Sequence, residues 1–259
     1  MAETELFSNE FLGKWSQAKS VAVLTGAGIS AESGVPTFRG EEGLWRKFRP
    51  EELATVDAFL RNPELVWEWY QYRRQILSKV QPNPGHLALR DLEGRFEQFT
   101  LITQNIDGLH QKAGSHRVVE LHGNIRRNRC LDCGKIHEHL DLEQRATVDT
   151  CECGGFIRPD VVWFGEALPR EALGEAFHAA AHCEVFLSVG TSAVVHPAAS
   201  LPLVALEHGA YLVEVNIEPT VLTNQAHLFL EGKSGEILPK LVEVLEQKRR
   251  DKLAIVEKS

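Results

Sequence analysis

Four of the five cysteines stand in two close pairs near the middle of the chain. Residues 134–150 separate the first pair from the second; the pairs are Cys130 with Cys133 and Cys151 with Cys153. Four thiolates at this spacing can close a tetrahedral site that suits Zn²⁺. Because sulfur would take all four positions, no position remains for water, and the expected zinc is structural. The fifth cysteine, Cys183, begins an apolar run and is expected to be a small buried residue rather than a nucleophile.

A glycine-rich turn, Gly26-Ala27-Gly28, follows an apolar run at residues 20–24. A strand, a tight turn and a helix in this order bring backbone N–H groups to a point where a phosphate can bind. The turn departs from the ordinary G-x-G-x-x-G pattern, so taken alone it indicates a dinucleotide site only weakly.

The elements that must position these residues alternate along the chain. Apolar runs predict strands, and the segments between them predict helices; the strands are 20–24, 99–102, 185–189 and 211–215, and the helices are 63–80, 86–93, 170–181, 197–208 and 237–252. This alternation predicts an α/β fold with a Rossmann-like parallel sheet covered by helices on both faces.

Two segments interrupt the alternation. Residues 37–82, rich in Trp, Arg and Glu, are expected to be a helical insertion, and residues 126–158 a zinc-binding module. Together they would form a small discontinuous domain. The Rossmann-like domain would then comprise residues 1–36, 83–125 and 159–259.

Composition and charge limit the possible partners. The 259 residues include 28 basic and 36 acidic side chains, for a net charge of −8, and 43% are hydrophobic. Such a composition is typical of a globular protein and excludes a disordered or collagenous chain. The negative charge disfavours binding to a phosphate backbone. No secretory signal or membrane-length apolar run is found, so we expect no membrane partner and a cytoplasmic location.

Further motifs follow the glycine turn in a defined order. They are Pro36-Thr37-Phe38-Arg39, Thr103-Gln104-Asn105-Ile106-Asp107, Glu120-Leu121-His122-Gly123-Asn124, Val161-Val162-Trp163-Phe164-Gly165, Gly190-Thr191-Ser192 and Asn216-Ile217-Glu218. From about Val21 to Pro239 the chain therefore resembles the sirtuin family, the NAD-dependent protein-lysine deacylases. The resemblance implies NAD and one structural zinc as cofactors and acylated-lysine proteins as partners. No nucleic-acid partner is expected, and the oligomeric state is left open, with a monomer favoured.

The resemblance also implies a role for individual residues. His122 would be the general base, since a neutral imidazole can accept a proton at physiological pH. In the family mechanism the acyl oxygen attacks the NAD ribose as nicotinamide leaves, and the products include 2′-O-acyl-ADP-ribose. The expected NAD contacts are Gly26, Ala27 and Gly28 with Ser192 at the pyrophosphate, Gln104, Asn105, Ile106 and Asp107 around the nicotinamide and its ribose, and Asn216, Glu218 and Ser234 at the adenosine. Phe38 would cover the site that nicotinamide vacates, Arg39 would order the substrate and phosphate ends, and Gly190 and Thr191 are further expected cofactor contacts.

The acyl group is indicated by two residues of the helical insertion. Tyr70 and Arg73 are spaced i, i+3 and share one helix face, where a phenol and a guanidinium suit a carboxylate. They match the Tyr-x-x-Arg pair of the sirtuin branch that removes succinyl, malonyl and glutaryl groups, and Ala54 matches the small residue of its acyl pocket. The remaining expected substrate contacts are Val161, Trp163, Phe164 and Gly165, with residues 163–166 forming an extended edge that pairs with the peptide.

Other functions remain open from the sequence. The chain could be a deacetylase without acidic preference, a protein ADP-ribosyltransferase or an NAD-dependent dehydrogenase. A different class is a zinc-ribbon module that binds nucleic acid, for which Arg126, Arg127 and Arg129 would supply the basic contact.

Overall fold

The computed structural model describes residues 6–37, 49–137 and 148–256. The strands in these ranges are β1 (Ser20–Thr25), β2 (Gln98–Thr103), β3 (Val118–Glu120), β4 (Gly123–Cys130), β5 (Ile136–His137), β6 (Ile157–Val161), β7 (Val185–Val189), β8 (Tyr211–Asn216) and β9 (Leu228–Glu231). The α-helices are α1 (Asn9–Gln17), α2 (Ala27–Ala31), α3 (Pro50–Leu53), α4 (Val56–Arg61), α5 (Pro63–Lys79), α6 (Pro84–Glu93), α7 (Leu109–Ala113), α8 (Arg170–His182), α9 (Leu201–Glu207) and α10 (Ser234–Val256).

The main sheet has six strands in the order β3-β2-β1-β7-β8-β9, and every neighbouring pair is parallel. Along β1 the apolar side chains alternate between two cores: Val21 and Val23 join one, and Ala22 and Leu24 join the other. A strand buried on both faces has to be apolar at successive positions, which explains its continuous apolar run. The predicted α/β fold with a Rossmann-like sheet is confirmed.

Helices cover both faces of this sheet. On one face α1, α6 and α10 contribute side chains such as Trp15, Leu89 and Leu241, and the Trp15 indole N–H donates to the Leu241 carbonyl at 3.1 Å. On the other face the core includes Ala180 of α8 and Leu201 of α9. None of the helices in the described parts of the chain is long and apolar enough to cross a membrane.

The order in which successive strands are added to the sheet reverses between β1 and β7. From β1 it proceeds through β2 to β3 on one side, and from β7 through β8 to β9 on the other. Ligands of open α/β sheets bind at such a switch point, beyond the carboxyl ends of the strands. The loops after β1, β2 and β7 are therefore the place to look for a functional site.

A second, antiparallel sheet of order β5-β4-β6 lies beside the insertion helices. One hydrophobic cluster joins Phe59 and Trp67 of the insertion to Cys130, Ile157 and Trp163 near the cysteines. The insertion and the cysteine module thus share a core, while their boundaries stay predictions.

Several elements differ from the sequence prediction. The strands β3 and β9 were not predicted, because three- and four-residue strands carry too little periodicity. The predicted helix 197–208 divides into a 3₁₀ turn, Ala198–Ser200, and α9. Helix α1 was also missed, although Ser8 caps it by accepting the Phe11 N–H at 3.2 Å.

Candidate active site and metal centre

The loops after β1 and β7 touch backbone to backbone. The Gly26 N–H donates to the Val189 carbonyl at 3.0 Å, and the Gly28 N–H donates to the Gly190 carbonyl at 2.9 Å. A Cβ on Gly28 would lie 2.7 Å from the Gly190 Cα, so the approach requires glycine. Two of the three turn amides expected at a pyrophosphate are thus engaged within the protein, and the contact of this turn with a pyrophosphate stays a prediction. Among the described residues, the Ala27 N–H is the amide of this turn that remains for a ligand.

The loop after β7 is organised by Thr191. Its hydroxyl lies 3.1 Å from that of Ser188, and its carbonyl accepts the side-chain N–H of Asn216 at 2.8 Å. The amide of Asn216 therefore holds the loop, and the neighbouring Ser192 is exposed.

The two remaining expected adenosine contacts differ in exposure. Glu218 is exposed after β8, whereas Ser234 is buried at the start of α10. The Ser234 hydroxyl and the Gly235 N–H both donate to a carboxylate oxygen of Glu32, each at 2.9 Å. Glu32 thereby supplies a negative charge to the N-terminus of α10, where the helix dipole favours it. The Ser234 hydroxyl thus has a partner inside the protein.

Asn105 is fixed by three hydrogen bonds at the carboxyl end of β2. Its backbone N–H donates to the Thr103 hydroxyl at 3.0 Å, and its side-chain amide donates to the Gly26 carbonyl at 2.9 Å and to the Ser30 hydroxyl at 3.3 Å. The side chain is 7% exposed. The two side-chain bonds fix the orientation of the Asn105 amide group, and therefore the direction of its oxygen.

Asp107 is buried two residues later. Its carboxylate accepts the Ser30 hydroxyl and the Leu109 N–H, both at 2.8 Å. Burial raises the pKa of Asp107, and the two hydrogen bonds together with Arg73 oppose this shift. The intervening Ile106 is buried against the small domain and accepts the Ile125 N–H through its carbonyl at 2.9 Å. The structure therefore brings Asn105, Ile106 and Asp107 together around the turn.

His122 lies between β3 and β4, partly buried at the edge of the crevice. Its Nδ1 atom is 2.8 Å from the Gln104 carbonyl oxygen. A carbonyl can only accept, so Nδ1 carries the proton and the neutral ring keeps Nε2 as its acceptor. Burial lowers the pKa of His122, and the bond to Gln104 opposes the shift. The geometry thus produces a neutral imidazole with one nitrogen free to take a proton.

Two further histidines lie behind this polar network. The rings of His86 and His110 are 4.9 Å apart, and the Nε2 atom of His110 is 2.9 Å from the Thr25 hydroxyl. Burial lowers the pKa of His86 to about 4 and that of His110 well below its ordinary value. Both rings are therefore uncharged at neutral pH and support the site from inside the fold.

The predicted acyl-pocket residues converge on the small-domain side of the crevice. Ala54, Tyr70 and Arg73 are 5%, 1% and 9% exposed. The guanidinium carbon of Arg73 lies 4.7 Å from the centre of the Trp69 ring and 5.6 Å from that of Tyr70. Burial lowers the pKa of Arg73, but Tyr70 and Asp107 raise it, and a guanidinium keeps its charge.

The segment that follows β6 is a turn, which corrects the expected extended edge. The Glu166 N–H donates to the Trp163 carbonyl at 3.0 Å, and the Glu166 carboxylate accepts the Trp163 N–H at 2.7 Å. Gly165 has a φ of +87° inside this turn. Trp163 is buried, Phe164 is 52% exposed, and the Phe164 N–H donates to the Ala54 carbonyl at 2.9 Å. Val161 ends β6 opposite Gly123, so residues 163–166 turn away from a strand path.

The four paired cysteines meet in one cluster. Their sulfur atoms all lie within 4.8 Å of one another, with Cys130 and Cys153 at 3.4 Å and Cys133 and Cys151 at 3.8 Å. Tetrahedral Zn–S bonds of about 2.3 Å place sulfurs roughly 3.8 Å apart, so the donor set fits Zn²⁺. The Cys133 N–H donates to the Cys130 sulfur at 3.5 Å and lowers the pKa of Cys130 to about 7. A lowered thiol pKa favours the thiolate that a metal requires.

Cys183 lies apart from this cluster. It is 8% exposed, its thiol is 3.4 Å from the Ala180 carbonyl, and burial raises its pKa to about 12. A thiol in this state is a poor nucleophile. The expectation of a small buried residue is therefore confirmed.

Some residues of the site were not found from the sequence, and two that were proposed fall outside the part of the chain that the structure describes. Ser30 bonds both Asn105 and Asp107, yet a serine in a glycine-rich turn has a purely local explanation and was passed over. His86 gave no signal, since a single histidine in an amphipathic helix carries none. Phe38 and Arg39 lie outside the described residues.

A parallel sheet with a polar crevice at its switch point and a neutral histidine at its edge defines a dinucleotide-binding α/β protein. The profile of the Sir2 family matches residues 26–197. The NAD-dependent protein deacylase of Aquifex aeolicus is 53% identical over 230 residues, which make up 88% of this chain and 96% of that protein. NAD-dependent protein deacylase 2 of Pyrobaculum aerophilum is 51% identical over 241 residues, 93% of this chain and 96% of that protein.

A solved structure agrees with these relatives. The crystal structure of a Sir2 homolog–NAD complex has a TM-score of 0.87 and 43% identity, and the match covers 93% of this chain and 94% of that one. The chain belongs to the Sir2 family. The resemblance to sirtuins that the motifs predict is thereby confirmed.

Proposed function

We propose that this chain is an NAD-dependent protein-lysine deacylase that removes succinyl, malonyl or related acidic acyl groups and removes acetyl more weakly. Membership in the Sir2 family and the names of its relatives support the deacylase activity. The observation that carries the acidic preference is the burial of the Arg73 guanidinium beside the Tyr70 phenol. A buried cation stabilises a carboxylate far more than an exposed one, since water no longer screens it.

The residues around the crevice fit NAD. The Ala27 N–H and the exposed Ser192 hydroxyl would bind the pyrophosphate, and the constrained side chains of Asn105 and Asp107 would bind the nicotinamide carboxamide. Bound NAD supplies a ribose carbon that becomes electrophilic as nicotinamide departs. Gly190, Asn216 and Glu218 are proposed as further contacts with the dinucleotide.

His122 is proposed as the general base. Its Nδ1–H is donated to Gln104, which orients the ring and leaves Nε2 to accept a proton from the ribose. Burial lowers the pKa of the imidazole, so the ring is neutral at physiological pH. The zinc, held by the four cysteines about the far end of β4, would have a structural role only.

Binding of nucleic acid is disfavoured, because Arg126, Arg127 and Arg129 already have partners within the protein. Arg127 forms ion pairs with Glu120 and Asp160 at 2.7 and 3.0 Å, and Arg129 pairs with Glu166 at 3.3 Å. The Arg126 guanidinium donates to the Asp107 carbonyl at 3.2 Å. These cations already have partners within the protein, so little basic surface is left for phosphates.

The experiment that tests the proposal is a panel of peptides with one sequence and different acyl groups on a single lysine. Each peptide is incubated with the protein and NAD, and mass spectrometry follows the free lysine and the acyl-ADP-ribose product. Succinyl and malonyl peptides should react faster than the acetyl peptide. Formation of NADH would instead indicate a dehydrogenase, and ADP-ribose on protein would indicate a transferase.

A further inference from the structure

The Tyr70 phenol is buried with its oxygen already accepting a hydrogen bond. The indole N–H of Trp163 donates to it at 2.8 Å, and Tyr70 is 1% exposed. Among the described residues the Tyr70 hydroxyl accepts this bond and donates none. Burying a polar hydrogen without an acceptor is unfavourable, so the site is suited to a ligand that supplies one.

Trp163 is held in place on three sides. Its backbone N–H donates to Glu166, its ring packs on Phe59 at 5.3 Å, and the Arg158 guanidinium carbon lies 3.4 Å from the ring centre. Arg158 in turn binds the two carboxylate oxygens of Glu166 at 2.5 and 2.9 Å. The indole therefore has little freedom to rotate away from Tyr70.

The cation over the indole also strengthens the bond to Tyr70. A guanidinium on the face of an aromatic ring draws electron density from it, which makes the ring N–H a better donor. Because the indole N–H occupies one lone pair of the Tyr70 oxygen, the phenol proton has to point away from Trp163.

We propose that Trp163 is a positioning residue for acyl specificity: its indole N–H fixes Tyr70 as a hydrogen-bond donor toward the carboxylate of an acidic acyl group. The inference rests on the proposed function and assigns to Trp163 a role distinct from contact with the substrate peptide. A succinyl or malonyl group carries a carboxylate that can accept from Tyr70, whereas an acetyl group ends in a methyl that cannot. Without Trp163 the phenol could rotate and accept instead of donate.

The test is the ratio of kcat/KM for a succinyl-lysine peptide to that for the matched acetyl-lysine peptide. W163F removes the indole N–H and keeps an aromatic ring, and the ratio should fall about fivefold to tenfold, within the range for the loss of one hydrogen bond between neutral groups. The matched control is W67F, since the Trp67 indole is also buried and donates at 3.2 Å, but to the Ile157 carbonyl. W67F should keep the wild-type ratio.

The ratio is taken within one preparation, so partial unfolding of a variant does not alter it. In a Y70F background, adding W163F should lower the ratio no further, because the acceptor is gone. If W163F does not fold, E166Q replaces it, since Glu166 anchors the indole, and a smaller fall is expected. A wild-type ratio in W163F, or in E166Q where that replaces it, would overturn the role of Trp163. A wild-type enzyme that prefers acetyl would instead overturn the proposed acyl preference.

Discussion

The Nδ1 atom of His122 donates to the Gln104 carbonyl at 2.8 Å, and this single bond determines which nitrogen of the ring can act as a base. Gln104 is itself held by donation of its N–H to the Thr25 carbonyl at 3.0 Å, at the end of β1. The tautomer of the imidazole is thus set by the backbone of the central sheet. Proton transfer at the crevice depends on the same strands that form the core.

Replacing the proposed base should abolish turnover. In His122→Tyr, NAD-dependent formation of the free lysine peptide is expected to fall by at least about 10²-fold, the usual effect of losing a general base. Circular dichroism should show an unchanged fold. His116→Tyr, at an exposed histidine, serves as the control and should retain activity. Near-normal turnover in His122→Tyr would remove this residue from the mechanism.

The pH dependence of kcat/KM should follow the lowered pKa of His122. Burial places that pKa below the ordinary value of 6.5, so the neutral ring persists at mildly acidic pH. The acidic limb of the activity profile should therefore have its midpoint below pH 6.5. Initial rates at low peptide concentration between pH 5 and 8, a range chosen about the histidine pKa, measure this limb. A midpoint above 6.5 would contradict the expected direction.

The acyl preference should depend on Arg73. Arg73→Met keeps the length of the side chain and removes the cation, and kcat/KM for the succinyl peptide is expected to fall about 10- to 100-fold. The value for the acetyl peptide should change much less. Arg61→Met, at an exposed arginine of α4, is the matched control. Equal losses on both peptides would show that Arg73 acts on the fold and not on the carboxylate.

The zinc content of the protein should depend on the four clustered cysteines. Elemental analysis should find one zinc per chain in the wild-type protein, and Cys130→Ser should release it and lower Tm by about 10 °C. Cys183→Ala removes the thiol that lies outside the cluster and should keep the zinc. A stable wild-type protein that contains no zinc would exclude the metal site.

Stability should fall in mild acid because of the buried histidines. The folded pKa of His86 is about 4, below the value of about 6.5 in the unfolded chain. As the pH falls through this window the unfolded state binds the proton first, so the free energy of unfolding declines, by about 3 kcal/mol from this residue. Urea denaturation between pH 7 and pH 4.5, within this window, measures the slope. His86→Gln should flatten it, whereas the exposed-site variant His178→Gln should not.

The sequence predicted the structure best where an apolar run is long or where the residues of a motif lie close together along the chain. The apolar runs of β1 and β7 predicted the central sheet, since strands buried on both faces have to be continuously apolar. The spacing of the cysteines predicted that the four thiols lie together in one cluster, because a short loop joins the two pairs.

Specific hydrogen bonds that no sequence motif reports account for what the sequence did not reveal. The turn at Phe164 depends on Glu166, which is drawn back by Arg158 on β6. The donation of the Gly28 N–H to Gly190 likewise joins two loops far apart in the chain. Which amides stay free for a ligand is decided by such pairings, and no local pattern reports them.

The carboxylate of Glu32 joins two parts of the molecule that lie far apart along the chain. It follows the turn that begins at Gly26 and holds the first residues of α10, a helix of 23 residues that reaches toward the end of the chain. Fraying of that helix and loosening of the turn are therefore thermodynamically linked. A truncation within α10 is expected to weaken dinucleotide affinity from a distance, and bound dinucleotide should protect the amides of α10 from hydrogen exchange.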